Sequence, residues 1–359
     1  MDLAIVGLRA SGKTTVFQAL TAGHGSAGGG RGEHLGAVKI PDERLERLAA
    51  LVGAKKVTPL EARLHDLPPM FEKGAPPSGE AAEALSRADA LVHVVRAFGR
   101  EDVPHPQGSV DPKRDVDAFE AELRFNDLGI VERRLEKLDI QVRSARPGER
   151  EMGEREQQLL QRVRRCLEAD EALRDCMNDA ADLKALANFG FLSLKPSLIL
   201  LNIGEEDVTR ADQLQEEWGR THGGPCTRAA VMCAKLEAEL AELSPEEADE
   251  FRRELGVGKG ATARVLALAA EALGLVTFYT VGEKETRAWT VPAGSTAVTA
   301  AGRIHTDLER GFIRAEVISW DRLLELGSHA EARKRGQLRT EGRQYVVQDG
   351  DVINVLFSV

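Results

Sequence analysis

Asp2-Leu3-Ala4-Ile5-Val6 is an apolar run of the length of one strand, and Gly7-Leu8-Arg9-Ala10-Ser11-Gly12-Lys13-Thr14 follows it directly. The second stretch matches the phosphate-binding loop pattern G-x-x-x-x-G-K-[ST] without a mismatch. Its glycines let the backbone curl so that successive N–H groups face one concavity. Thr15-Val16-Phe17-Gln18-Ala19-Leu20 then reads as a helix, whose positive dipole end faces the same concavity. Strand, loop and helix in this order are the context the pattern requires. The stretch is therefore read as a phosphate site, not as a glycine-rich turn with an incidental lysine. Arg9, Ala10, Ser11, Gly12, Lys13, Thr14 and Thr15 are the expected phosphate-cradling residues. Lys13 should reach the β- and γ-phosphates, and the Thr14 hydroxyl should coordinate Mg²⁺.

Outward from the loop, strands are expected at 3–6, 37–40, 60–65 and 90–95, and helices at 13–21, 42–51 and 79–87. This alternation predicts a βαβ sheet. Gly23 to Gly36, rich in glycine, lies where nucleotide switches keep their first moving loop and is expected to be mobile. Between Asp115 and Leu186 the pattern changes. Leu123, Leu128, Val131, Leu135, Leu138 and Val142 recur at helical steps between charged residues, and Leu160, Val163, Leu167, Leu173 and Met177 do so after a break at Arg146-Pro147-Gly148. Two amphipathic helices in an antiparallel hairpin are expected. Sheet strands resume at 197–201 and 229–232. From Thr277 a small α+β unit follows, with strands at 278–281, 287–291, 344–347 and 352–357 and a helix at 300–308. That order suggests a β-grasp. The expected fold is an α/β P-loop NTPase domain (1–114 and 187–276) with an inserted helical coiled-coil hairpin (115–186) and a C-terminal β-grasp domain (277–359).

Composition sets the class. The chain has 359 residues, 42% hydrophobic and 30% charged, with a net charge of −10. This is a soluble globular profile, and the charge argues against a generally basic nucleic-acid binder. No sequence-specific DNA contact and no membrane partner are expected. No run is apolar enough to span a bilayer, and a core strand at the N-terminus argues against a cleaved signal peptide. Cys166, Cys176, Cys226 and Cys233 form no C-x-x-C pair and read as reduced thiols of a cytoplasmic protein.

These residues together resemble the YchF / Obg-like ATPase family. The resemblance is densest in Met1 to Leu20, Pro41 to Leu48, Asp89 to Phe98, NFGFLSL at Asn188 to Leu194, CAKLEAELAEL at Cys233 to Leu243, and Arg287 to Val359. It implies a G domain, a coiled-coil insertion and a C-terminal TGS domain, with ATP preferred over GTP and the ribosome or ribosomal RNA as partner. Ordinary GTPases read guanine with N-K-x-D. Here Asn202-Ile203-Gly204-Glu205 places Ile203 at the lysine position and Glu205 at the aspartate position, which implies reduced guanine selectivity. Ala234 and Lys235 resemble the later base-contacting loop. Asp66 opens the second switch and is expected to hold an Mg²⁺-bound water. His105 aligns with a family histidine suggested to assist hydrolysis.

The chain departs from the family at several points. Ala10 stands where an Asn helps hold potassium in related enzymes, which removes the ground for expecting potassium stimulation. Gly30 falls where the first switch carries its Mg²⁺-binding Thr. Pro69 replaces a Gly whose N–H should contact the γ-phosphate, and proline has no N–H. Met70 resembles the hydrophobic residue that the family has in place of a water-orienting glutamine. Two readings stand open. One is a slow Mg²⁺-dependent ATPase, less selective for GTP, with Lys13 and His105 as catalytic candidates. The other is a degenerate module that binds ATP/ADP or GTP/GDP and contacts ribosome or RNA without appreciable turnover. Arg303, His305, Arg310, Arg314, Arg333, Lys334, Arg335 and Arg339 make the C-terminal unit locally basic, which suits either reading.

Overall fold

The computed structural model describes residues 1–23, 26–27, 34–71, 77, 79–100, 102–256 and 260–358. Gly30 and much of the stretch expected to be mobile lie outside them. The first elements are β1 (Asp2–Val6), α1 (Lys13–Thr21), β2 (Ser26–Ala27), β3 (His34–Lys39), α2 (Glu43–Val52), β4 (Val57–Thr58), β5 (Glu61–Asp66), α3 (Gly79–Arg87) and β6 (Ala90–Ala97). Next come α4 (Pro112–Ser144), α5 (Pro147–Glu168), α6 (Leu173–Cys176), α7 (Ala180–Leu186), β7 (Ser197–Ile203), α8 (Ala211–His222), β8 (Thr227–Met232), α9 (Ala234–Leu240), α10 (Pro245–Leu255) and α11 (Ala261–Ala272). The chain closes with β9 (Leu275–Thr280), β10 (Thr286–Pro292), α12 (Ala297–Ile304), α13 (Thr306–Arg310), β11 (Phe312–Ser319), α14 (Trp320–Leu326), α15 (His329–Lys334), β12 (Arg339–Glu341) and β13 (Asp351–Phe357). Two compact units result, Met1–Ala37 with Arg63–Ala272, and Val38–Ala62 with Leu273–Val359.

In the first unit the strands run β2-β3-β5-β1-β6-β7-β8. β1 is parallel to β5 and β6, and β6, β7 and β8 continue the parallel run. Every residue of β7 is buried, so both sheet faces are covered, which is why 197–201 reads as one apolar run. Parallel strands share an edge at their carboxyl ends. The loop after β1, Asp66 at the end of β5 and Asn202 near the end of β7 therefore lie along one edge, where open α/β sheets bind ligands.

The helical insertion is not separate from this unit. α4 is a single helix of 33 residues, capped by the Asp111 carboxylate, which accepts from the Arg114 N–H. Its early residues Phe119 and Leu123 pack under the sheet with Ala4, Val6, Leu67 and Leu85. Only later do Val131, Leu135 and Leu138 meet Leu159, Leu160 and Val163 of α5. Leu123 thus belongs to the sheet core and not to the hairpin seam. Asp127 is fully buried and accepts from the Leu192 N–H at 2.9 Å, the Ser193 N–H at 2.8 Å and the Ser193 hydroxyl at 2.7 Å. This carboxylate fastens α4 to the turn before β7. A disulfide joins Cys166 to Cys176, which corrects the expectation of reduced thiols at these two positions. The turn after α5 lays α6 back beside the last turn of α5, a proximity that no cysteine spacing announces.

In the second unit the strands run β12-β11-β13-β9-β10-β4. The hairpin β9–β10, the helix α12, and β13 running parallel to β9 in the middle make a β-grasp. Its core joins Phe278, Val291, Ala297, Ala300, Ala301, Val317 and Ile353. Three expectations change. Residues 344–347 form no strand and contribute one isolated bridge, Thr296 to Val346, while β11 carries the sheet. β11 was not legible because a register irregularity between Phe312 and Arg314 breaks its period of two. The helix expected over 300–308 is two helices, broken where His305 accepts from the Asp307 N–H. Finally, α2 and β4 join this unit. Leu45 and Leu48 pack with Tyr279, Ala288, Leu323 and Val352, and Asp42, the cap of α2, accepts from the Tyr279 hydroxyl at 2.5 Å.

Candidate active site

The loop after β1 is curled as its composition requires. Gly7 (φ 143°), Ala10 (φ 60°) and Gly12 (φ 89°) all have positive φ. A Cβ on Gly7 would run into the Val94 carbonyl, and one on Gly12 into the Asn202 side-chain amide, so glycine is needed for space as well as for conformation. Lys13 is buried, and its Nζ donates to the Gly7 carbonyl at 3.1 Å and the Leu8 carbonyl at 3.0 Å. Burial lowers its pKa to about 8; Asp66 opposes the shift and the Arg9 charge adds to it. An anion in the concavity would favour the charged amine.

Thr14 opens α1, and its hydroxyl donates to Asp66 Oδ2 at 2.9 Å. His34 Nδ1 lies 3.3 Å from the same oxygen. Asp66 Oδ1 and Ser11 Oγ are buried without a hydrogen-bond partner among the described residues. A buried carboxylate oxygen left unpaired is costly, and a hydroxyl beside a carboxylate is a donor set that suits a hard divalent cation. The residues present therefore fit Mg²⁺, with Thr14 and Asp66 as the groups that would hold it. Thr15, the next residue of α1, is half-buried.

Other expected residues are placed differently. Asn202 is buried and spans two backbone segments: its Nδ2 donates to the Ser11 carbonyl at 3.0 Å, and its Oδ1 accepts from the Ala234 N–H at 3.1 Å. It braces the loop against the start of α9. Ile203 faces the core with Val95, Leu201 and Val231. Lys235 Nζ donates to Glu205 Oε2 at 2.7 Å, and both side chains are exposed. His105 is locked on both sides. Its Nδ1 accepts from the Gln107 N–H at 3.1 Å, and its Nε2 lies 2.8 Å from Asp115 Oδ2. The ring thus joins the loop before α4 to the first turn of α4. Met70 and Phe71 pack on the sheet core, Phe71 edge-on to Phe119.

Sequence reasoning missed His34, a lone histidine at the head of a strand. It also left His93 and Arg96 unremarked, although polar residues inside the apolar strand 90–97 were the available signal. His93 stacks on Phe119 with ring centroids 4.1 Å apart, its Nδ1 has no hydrogen-bond partner among the described residues, and burial lowers its pKa to about 3. Arg96 donates to the carbonyls of Phe98, Arg100 and Val103 and lies over the Phe98 ring, which shapes the loop after β6.

Comparison with known proteins agrees with this geometry. The C-terminal YchF-GTPase family model, described as "Protein of unknown function (DUF933)", matches residues 275–358. The Bacillus subtilis protein called ribosome-binding ATPase YchF is 35% identical over 100% of both chains. Its Haemophilus ducreyi counterpart is 35% identical over 99% of this chain and 98% of its own. The rice protein called Obg-like ATPase 1 is 33% identical over 90% of this chain and 82% of its own. The solved structure of the Schizosaccharomyces pombe YchF GTPase superposes with a TM-score of 0.81 at 29% identity, covering 99% of this chain and 97% of its own. A P-loop sheet with its helical insertion, a β-grasp unit and full-length relatives thus lead to one conclusion: this chain belongs to the YchF family of Obg-like nucleotide hydrolases.

Proposed function

We propose that this chain binds ATP through residues 7–15, accepts GTP less selectively, hydrolyses the nucleotide slowly with Mg²⁺, and acts in the cytoplasm as a ribosome-associated regulator of translation or stress response. The observation that carries the reading is the meeting of Lys13, Thr14 and Asp66 at the carboxyl edge of the sheet, beside a loop already curled for phosphate. Relatives named ribosome-binding ATPases supply the nucleotide and the partner. Lys13 and the loop N–H groups would bind and orient the phosphates, while Thr14 and Asp66 hold the cation. When bound, the cation neutralises phosphate charge. The Glu205–Lys235 pair supports weak guanine selection, because a carboxylate that already accepts from an ammonium is a poorer acceptor for guanine N–H groups. The β-grasp unit and the helical hairpin are the proposed ribosome-docking surfaces.

Binding with negligible turnover is the second reading. Pro69, which has no N–H for the γ-phosphate, and His105, whose nitrogens are both engaged, favour it. Single-turnover hydrolysis of ATP and GTP, measured beside Lys13→Ala, separates the two. Turnover above the Lys13→Ala background supports the enzyme; nucleotide binding without it supports the module. Failure to co-sediment with ribosomes in any nucleotide state would remove the ribosomal part.

A further inference from the structure

β3 passes α1 so closely that a Cβ on Gly36 would run into the side chains of Thr21 and Phe17. That contact fixes the position of β3 and brings His34, two residues earlier, to the carboxylate that Thr14 also touches. His34 Nδ1 is 3.3 Å from Asp66 Oδ2, and Thr14 Oγ1 is 2.9 Å from the same atom. Cis ligands of an octahedral ion with bonds of about 2.1 Å stand about 3.0 Å apart, so both separations match edges of one coordination polyhedron. The second Asp66 oxygen is buried and has no hydrogen-bond partner among the described residues. The His34 side chain is 34% exposed, enough to turn its nitrogen toward an incoming cation.

We infer that His34 supplies an imidazole nitrogen to the nucleotide's metal, which makes an N,O site selective for a first-row transition divalent cation over Mg²⁺. The inference rests on reading this site as a nucleotide–metal site. Its chemistry is general. Mg²⁺ favours oxygen ligands, whereas imidazole raises affinity along the first-row series. With hydroxyl and carboxylate alone, the site would have no ground to distinguish Mn²⁺ from Mg²⁺ beyond ion size.

The test uses the full chain with Mn²⁺ and a non-hydrolysable ATP analogue, read by pulsed electron paramagnetic resonance. Coupling of Mn²⁺ to phosphorus and to an imidazole nitrogen is expected. His34→Asn should keep the phosphorus coupling and lose the nitrogen coupling. In calorimetric titrations the preference for Mn²⁺ over Mg²⁺ should fall about tenfold or more in that variant. His34→Thr, which offers an oxygen instead, should shift preference toward Mg²⁺. Phosphorus coupling without nitrogen coupling in the native chain would overturn the assignment, as would a nitrogen signal that persists in His34→Asn. Absence of phosphorus coupling would overturn the underlying reading of the site, and the assignment with it.

Discussion

At the residue scale, the loop is built with little room for change. Gly12→Ala would drive a methyl group into the Asn202 amide at a positive φ, so we expect loss of the Asn202–Ser11 hydrogen bond and of nucleotide binding. Equilibrium binding of a fluorescent nucleotide checks this. Ala10 holds φ 60°, a region where asparagine is tolerated better than alanine. Ala10→Asn should therefore gain about 0.5–1 kcal/mol of stability by urea unfolding. His93 provides the pH dependence. Its folded pKa of about 3 lies below the ordinary histidine value of 6.5, so the unfolded chain binds the proton more tightly. The stability contribution is whole above pH 6.5 and falls as pH drops toward 3, by up to about 1.4 kcal/mol per unit. Urea unfolding between pH 4.5 and 7 should show this slope in the native chain, and a shallower one in His93→Leu. Much of this scale was legible in advance: the glycines, Lys13 and Thr14 follow from one motif. His34 and the brace made by Asn202 were not legible, because each depends on an atom brought from a distant strand.

At the element scale, sequence periodicity performed well where burial is uniform and badly where it is mixed. β7 and α3 followed from pattern, whereas the irregularity in β11 hid an inner strand that pairs on both sides. The long helix α4 shows the same limit. Its apolar stripe looks continuous, yet its first turns face the sheet and its later ones face α5. One rigid helix thus runs from the sheet core into the hairpin, pinned by Asp127. Asp127→Ala would leave the Leu192 and Ser193 N–H groups buried and unpaired. We expect a loss of about 1–3 kcal/mol, the range for leaving a buried donor unsatisfied, seen as a lower urea midpoint. An unchanged midpoint would mean that the hairpin helix is held by apolar packing alone.

At the scale of the whole molecule, the chain's route matters more than its domain labels. It leaves the first unit at Ala37, contributes α2 and β4 to the second, and re-enters the first at Arg63. Composition could not reveal this, because the apolar face of α2 suits either unit. A chain truncated at residue 272 should therefore expose Leu45 and Leu48, bind a hydrophobic dye and aggregate, although its P-loop sheet is complete. A well-behaved truncated protein would contradict the division into units. The claim that joins all three scales is that the curled loop, Lys13, Thr14 and Asp66 form a working nucleotide site. Calorimetric titration of nucleotide-free protein with non-hydrolysable ATP and GTP analogues, with and without divalent cation and beside Lys13→Ala, tests it most directly. We predict cation-dependent ATP binding, weaker discrimination against GTP than in a guanine-specific enzyme, and no binding in Lys13→Ala. Failure of the native chain to bind either nucleotide would contradict the account and leave the phosphate loop as architecture alone.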